Sequence, residues 1–520
     1  MGQSMSGTSN QDVLTAFIAR RHPDYAVMLP HWEFLQATYR GGRAWFTENI
    51  FKFFKEGTDE FRDRLNRAYR FNHTRETVDL VTKYLFKAKV ERNDNSATEA
   101  VKRFWKRSTK SGMTIDQFAK HLAMSTSVFG QVGVVVDSKP VDGAVSVADE
   151  KKAPNPIYAY IVKPMDILDF ALEDDTDGKL LWILIREWVR DDEDPLLGTG
   201  QLKPRFRLWR PHEWVLYEEV DAGRRGKVVR EISRGDNPIG EIPVVFARHT
   251  IGESHYSAPA LIDDTAYLDR AVANYLSNLD AIIQDQTFSQ LVMPAQGILP
   301  GDDKYKQLVE AGTKRMFTYD GSQGGAGPEY ISPDAAQAHV IIAVVEKIIN
   351  EIYHTIGLAG ERTKQDNAMG IDNSSGVAKA YDFERVNSLL NAKGEALENA
   401  ENEIVRLVSL YASEPVPADR LVNYPETFDV ATLTNELDTA ERLAKIQAPK
   451  ELRREHAKRI VEKLFPTLKE DLKKTVLEGV GKWLEAEPSQ PGAPGAPKSP
   501  ALRPTNTNPR QGQVTPQTGT

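Results

Sequence analysis

Two long helical stripes constrain this chain more than any other feature. The first takes in Leu261, Leu268, Val272, Leu276, Leu279 and Ile283. Ser257 and Pro259 mark its start as a cap and an early proline, and Pro294 lies beyond its end. The second takes in Ile341, Val345, Ile348, Ile352 and Ile356, opening at Ser332–Pro333 and stopping at Gly357. Each pattern is long enough for a helix of roughly 40 Å at 1.5 Å per residue. Between them lie a strand-like KRMFTY and a glycine-rich GSQGGAGP. Neither stripe has an obvious partner elsewhere in the chain, so both are expected to be buried between subunits.

The flanking regions read differently. Residues 10–130 are expected to be mainly helical. TRETVDLVTKYLFKAKV carries Leu80, Val81, Tyr84 and Leu85 at helical spacing, with Thr74 as its expected cap. MTIDQFAKHLAMSTSVFG has Thr114 at its start and Gly130 at its stop. From 131 to 250 the runs QVGVVVD, PIYAYIV, KLLWILIREWV, RFRLWRP, EWVLYEE, KVVREI and EIPVVFARH predict a mainly antiparallel sheet packed on those helices. A third long helix is expected through Val386, Leu390, Leu397, Ile404, Val408 and Tyr411, ending before Pro415. Further helices follow, broken at Pro449 and Pro466, and the Pro-rich end from Pro488 is expected to be disordered.

Composition removes several classes of function. The 520 residues include no cysteine, which excludes a disulfide scaffold, a cysteine nucleophile and a Cys-ligated metal. A net charge of −8 argues against gripping nucleic acid over the whole surface. No run is apolar enough for a transmembrane helix, and the polar start has no signal-peptide core. Gly2 and Ser6 fit a myristoylation pattern short enough to arise by chance, and the sequons at Asn72 and Asn373 are not expected to be glycosylated.

The chemical motifs fail one by one. Glu173–Gly178 resembles the opening of a calcium loop, but Leu184 stands where its bidentate Glu belongs, so a hairpin turn is expected. The run Asp191–Asp194 reads as a solvated loop rather than a two-metal site. GAPGAPKS has Pro497 where a phosphate-binding loop needs glycine. There is no H-E-x-x-H and no G-x-S-x-G. No catalytic residue, cofactor or metal is therefore expected. Charge is more informative: the first long helix carries Asp263, Asp264, Asp269, Asp280 and Asp285 against a single Arg270, and a basic stretch runs from Lys445 to Lys474.

Four stretches, in this order, resemble the portal protein of tailed bacteriophages. WEFLQATYRGGRAW with FRDRLNRAYRFNHTRETVDLVTKYLF looks like the portal N-terminal region. YIVKPMDILDF is similar to a strand of the portal wing. IPVVFARHTIGESHYSAPALIDDTAYLDRAVANYLSNLDAI resembles the wing strand leading into the first stem helix. IIAVVEKIINEIYHTIGL followed by SSGVAKAYDFERVNSLL resembles the second stem helix, the tunnel loop and the start of the next long helix.

The resemblance covers about residues 30–413 and implies an α+β, predominantly helical ring subunit with a helical and sheet wing, a long-helix stem, a small clip and a helical crown. On that layout 1–29 is a partly disordered N-terminal arm, 30–256 the wing, 257–291 the first stem helix and 292–331 the clip. Residues 332–357 are the second stem helix, 358–376 the tunnel loop, 377–429 the long wing helix and its connection, 430–487 the crown and 488–520 a disordered tail.

The implied function is a ring, usually of twelve copies, at one capsid vertex of the virion, assembled in the host cytoplasm. Double-stranded DNA enters and leaves through it. The implied partners are further copies of the chain, the major capsid protein, scaffolding protein, the terminase large subunit and head-completion or adaptor proteins, with no membrane. The five aspartates above are then candidates for the channel lining, and Arg362 and Lys364 for brief DNA contacts from the tunnel loop. Two other readings compete: another ring protein of the virion, and a metal-dependent DNA-processing enzyme.

Overall fold

Thr114 and Gly130 bracket the helix that the sequence marks most plainly. In the computed structural model that helix runs Ile115–Phe129. Thr114 and Gln117 form a reciprocal capping box, each side chain bonded to the other's backbone N–H. Gly130 ends it at φ +76°, a conformation that suits glycine. The structure describes residues 10–54, 56–138, 157–173, 178–192, 198–221, 227–250, 254–287, 290–294, 316–319, 329–331, 336–358, 376–425 and 433–464 apart from 447, with a few single positions and 475–479 besides.

The chain divides into two units, Met1–Phe428 and Asp429–Thr520. The first unit opens with helices α1 (Asn10–Ala19), α2 (Tyr25–Arg40), α3 (Arg43–Asn49), α4 (Thr58–Arg67) and α5 (His73–Leu85). Strand β1 (Glu91–Arg92), α6 (Glu99–Lys106) and α7 (Ile115–Phe129) follow. Eight strands come next: β2 (Gln131–Ser138), β3 (Ile157–Val162), β4 (Ile167–Leu172), β5 (Leu180–Arg190), β6 (Leu202–Trp209), β7 (Glu213–Asp221), β8 (Lys227–Asp236) and β9 (Val244–Arg248). Then come α8 (Thr265–Thr287), β10 (Gln290–Pro294), β11 (Met316–Tyr319), β12 (Glu329–Ile331), α9 (Ala336–Thr355), α10 (Gly376–Tyr411) and β13 (Val422–Asn423). The second unit holds α11 (Leu433–Lys445) and α12 (Lys450–Leu464), which pack on each other across the break at Pro449.

The strand runs read from the sequence form two antiparallel sheets. One has the order β3-β2-β9, and the other is the meander β4-β5-β6-β7-β8. Val132, Val134, Val135 and Val136 of β2 are all buried, since helices cover one face of this sheet and the second sheet lies near the other. The short strands after α8 form a mixed sheet. There β10 is central, parallel to β11 and antiparallel to β12.

The described ends of the two acidic runs lie at strand ends, and residues 174–177 and 193 lie outside the described residues. The Glu173 N–H donates to the Lys179 carbonyl at 2.9 Å, closing the hairpin between β4 and β5. Asp191 pairs with Lys203 at 2.7 Å and Asp192 with Arg190 at 2.9 Å, beside the turn between β5 and β6. Asn72, the first sequon, is a helix cap. Its side chain accepts from the Arg75 N–H, so the cap of α5 is Asn72 and not Thr74.

Helix α1 is in keeping with the helical reading from residue 10: it buries Ile18, sets Phe17 edge-on to Trp182, and its Gln11 donates to the Val229 carbonyl of β8. Two differences from the sequence reading matter for function. The first long helix begins at Thr265, not Ser257, because the chain before it is held in other ways. The Leu261 N–H donates to the Ser127 carbonyl, and Asp263 accepts the Ala260 N–H. Most importantly, the two stripes are not left without partners inside the chain. Val272, Leu276 and Leu279 of α8 and Val345, Ile349 and Ile352 of α9 are buried, and the two helices pack on each other and on α5.

Candidate channel helix and its carboxylates

Helix α8 and the turn before it carry the aspartates that made this stretch conspicuous, and their surroundings sort them. Asp269 faces inward and is 0% exposed. Its Oδ2 accepts from the Thr74 hydroxyl at 2.8 Å and the Thr74 N–H at 3.2 Å. Its Oδ1 lies 3.3 Å from His73 Nδ1, and Arg70 Nη1 is 3.6 Å from Oδ2. That guanidinium in turn lies 3.9 Å over the Trp45 ring, and it donates to the Thr38 carbonyl. Asp269 therefore fastens the start of α5 to α8 and is not a lining residue. The buried position follows from spacing, because Asp269 lies beside Val272, Ala273 and Leu276 on the inward face of α8.

Asp263 and Asp280 are half-buried and engaged. Asp263 Oδ1 is 2.9 Å from His31 Nε2, whose Nδ1 is 3.1 Å from the Tyr267 hydroxyl. Asp280 pairs with Arg67 of α4 at 3.1 Å. Asp264 is exposed at the N-terminal end, where it lines a cleft of about 530 Å³ together with His249, Thr265, Gly357 and Arg385. Asp285 lies near the C-terminal end of α8, and its side chain is outside the described residues. Arg362 and Lys364 also lie outside them, as do residues 1–9, Asn373, most of 295–328 and the tail from 480.

The first and second long helices run antiparallel. Strand β10 follows α8 directly and pairs antiparallel with β12, which leads into α9. At the other end Tyr353 of α9 donates its hydroxyl to Glu76 at 2.7 Å, and its ring meets His73 edge-on, next to Asp269. Gly357 stops α9 at φ +77°, where the Leu358 N–H reaches back to the Tyr353 carbonyl at 2.8 Å.

No protein-family model matches the chain, and no curated protein does. It is similar to chains in two solved assemblies. One is the neck of an empty gene transfer agent particle, at 12% identity and a TM-score of 0.36, over 78% of this chain and 89% of that one. The other is the virion of a native gene transfer agent particle, at 11% identity and 0.37, over 89% and 98%.

Two buried polar centres escaped the sequence reading. Lys393 of α10 is fully buried, with its Nζ 2.8 Å from His249 Nδ1 and 3.0 Å from the Thr126 hydroxyl. Burial lowers the Lys393 pKa from 10.5 to about 7 and holds His249 well below its usual value. The second centre is Glu401, bonded to Arg92 at 2.6 Å and accepting from the Tyr424 hydroxyl at 3.1 Å. Burial raises the pKa of this carboxyl, against the opposing pull of Arg92. A lysine in the polar run NAKGE and a glutamate in ENAENE gave no signal, because His249 lies 144 residues from Lys393 and Arg92 lies 309 residues from Glu401. Among the described residues no three His, Asp or Glu side chains form a metal-binding group, and no helix is long and apolar enough to cross a membrane.

Proposed function

We propose that the chain is the subunit of a phage-type portal, a ring-shaped virion channel through which double-stranded DNA passes. The observation that carries this reading is the order of its parts. Antiparallel sheets on a helical base lead into α8, a small three-stranded sheet, the antiparallel return α9 and the 36-residue helix α10. In this proposal these parts serve as wing, stem, clip, stem and wing. At 1.5 Å per residue α8 spans roughly 35 Å and α9 roughly 30 Å, the scale of a channel wall.

The chemistry asked of such a wall is modest. Carboxylates facing a channel repel phosphates, so DNA moves without sticking. In this proposal Asp264 and Asp285 serve that role, since Asp263, Asp269 and Asp280 are committed within the subunit. Arg362 and Lys364 supply brief phosphate contacts from the stretch between α9 and α10. The ring docks terminase and adaptor proteins and is seated in the capsid shell with the help of scaffolding protein.

Negative-stain imaging and mass measurement of the purified full-length protein test the reading. Closed rings with a central hole are expected. A monodisperse 58.3 kDa monomer at micromolar concentration across a range of salt would overturn it. Shortening 359–375 is expected to leave rings intact and impair packaging or retention of DNA. Full genomes packaged and held by that variant would remove the loop from the mechanism.

A further inference from the structure

Helices α8 and α9 each keep one face out of their shared seam, and the two faces differ. On α8 the outward stripe is Tyr267, Ala271, Tyr275 and Asn278, at helical spacing. Beside it Arg270 is held over three rings: Phe34 at 4.6 Å, Tyr267 at 5.0 Å and Phe51 at 5.5 Å. Phe51 is fixed there because its N–H donates to Asn274 Oδ1 at 3.0 Å. Phe51, Phe54, Tyr267 and Tyr275 are all exposed. No carboxylate pairs with Arg270 among the described residues. The result is an apolar, aromatic platform with one cation set in its edge.

On α9 the outward stripe is His339, Ile342, Ala343, Glu346 and Asn350, again at helical spacing and exposed throughout. It offers one branched aliphatic, one alanine that allows close approach, and one carboxylate a turn beyond Ile342. No cation pairs with Glu346 among the described residues.

We infer that the Arg270 platform of α8 is the seat for the Ile342–Ala343–Glu346 stripe of α9 from a second copy of this chain. The inference deepens the ring reading and rests on it. Charge complementarity selects this occupant: a lone guanidinium on an apolar platform meets a lone carboxylate on a slim apolar stripe. Tyr267 and Tyr275 stand one to each side of Ala271, leaving a shallow notch for a small-residue helix face. Both halves of the contact are present on every chain and are unlike each other, so the contact is head-to-tail and repeats around a ring. Once water is excluded, the Arg270–Glu346 pair fixes register, while the aromatic surface supplies most of the apolar burial.

The test measures assembly mass against concentration for the full-length protein, with three single variants and one double variant. Arg270→Glu and Glu346→Arg are each expected to raise the concentration for half-assembly about tenfold or more, the equivalent of about 1.4 kcal/mol. The double exchange is expected to restore assembly. Ala343→Trp changes an exposed position, so it leaves the monomer's melting unchanged while blocking assembly. Wild-type rings together with unaltered assembly of the Arg270, Glu346 or Ala343 variants would overturn the inference and leave the ring reading standing. Loss of assembly in both charge variants without rescue in the double would also overturn the pairing. A wild-type chain that stays monomeric would remove the ring reading itself.

Discussion

Lys393 Nζ and His249 Nδ1 lie 2.8 Å apart in a fully buried site where two basic groups face each other. The third partner is the Thr126 hydroxyl, and no carboxylate joins them among the described residues. Only one proton can sit between two nitrogens at that distance, so the folded chain binds fewer protons here than the unfolded chain does.

The sign of the pH dependence follows. Unfolded Lys393 holds its proton up to 10.5, whereas the folded group loses it near 7. Between those values the unfolded state binds more protons, so stability rises with pH, by up to about 1.4 kcal/mol per unit from this group. His249, lowered well below 6.5, adds a loss of stability as pH falls through about 6.5. Chemical denaturation of the wild type from pH 6 to 10 is expected to show this rise, and Lys393→Met is expected to flatten it above pH 7. Parallel curves for the two proteins would disprove the assignment.

Asp269→Asn tests the anchor between α5 and α8. The change keeps the shape but removes the charge that Arg70 and His73 face. Breaking a buried charge pair on one side costs about 3–5 kcal/mol, so a clear drop in the denaturation midpoint is expected. A loss below about 1 kcal/mol would mean that Asp269 is not the tie the geometry indicates.

Gly130→Ala should be among the most damaging small changes in the chain. A Cβ there would stand 1.8 Å from the Ala258 carbonyl oxygen, at φ +76°. The same residue accepts the His249 N–H at 2.6 Å, so any backbone shift disturbs the Lys393 site as well. The expected cost is about 2–4 kcal/mol, measured as above. A near-neutral result would show that the 254–260 segment yields easily.

The elements that were legible in the sequence are those set by local rules. Thr114 with Gln117, Gly130 and Gly357 mark helix ends through their own backbone needs, and the Val-rich and Trp-rich runs became strands where expected. What stayed hidden depends on distant partners. Asp269 is a surface carboxylate by pattern and a core residue in fact, because Thr74 lies 195 positions away and Arg70 and His73 close beside it. The apolar stripes were legible as stripes, but a stripe does not say whether its cover comes from the same chain. Here α5, α8 and α9 supply much of it to one another.

The separation of the aspartates yields the last prediction, which rests on the channel reading. Asp264 is exposed at the start of α8, makes no ion pair among the described residues, and contributes nothing evident to the core. Asp264→Asn is therefore expected to leave the denaturation midpoint within about 0.5 kcal/mol of wild type and to leave assembly mass unchanged. If its carboxylate helps repel phosphates, rings carrying the change should retain short duplex DNA more strongly at low salt. The difference should fade as salt rises and the Debye length falls to about 8 Å near physiological ionic strength. Equal DNA retention by wild type and Asp264→Asn rings at low salt would take Asp264 out of the channel lining.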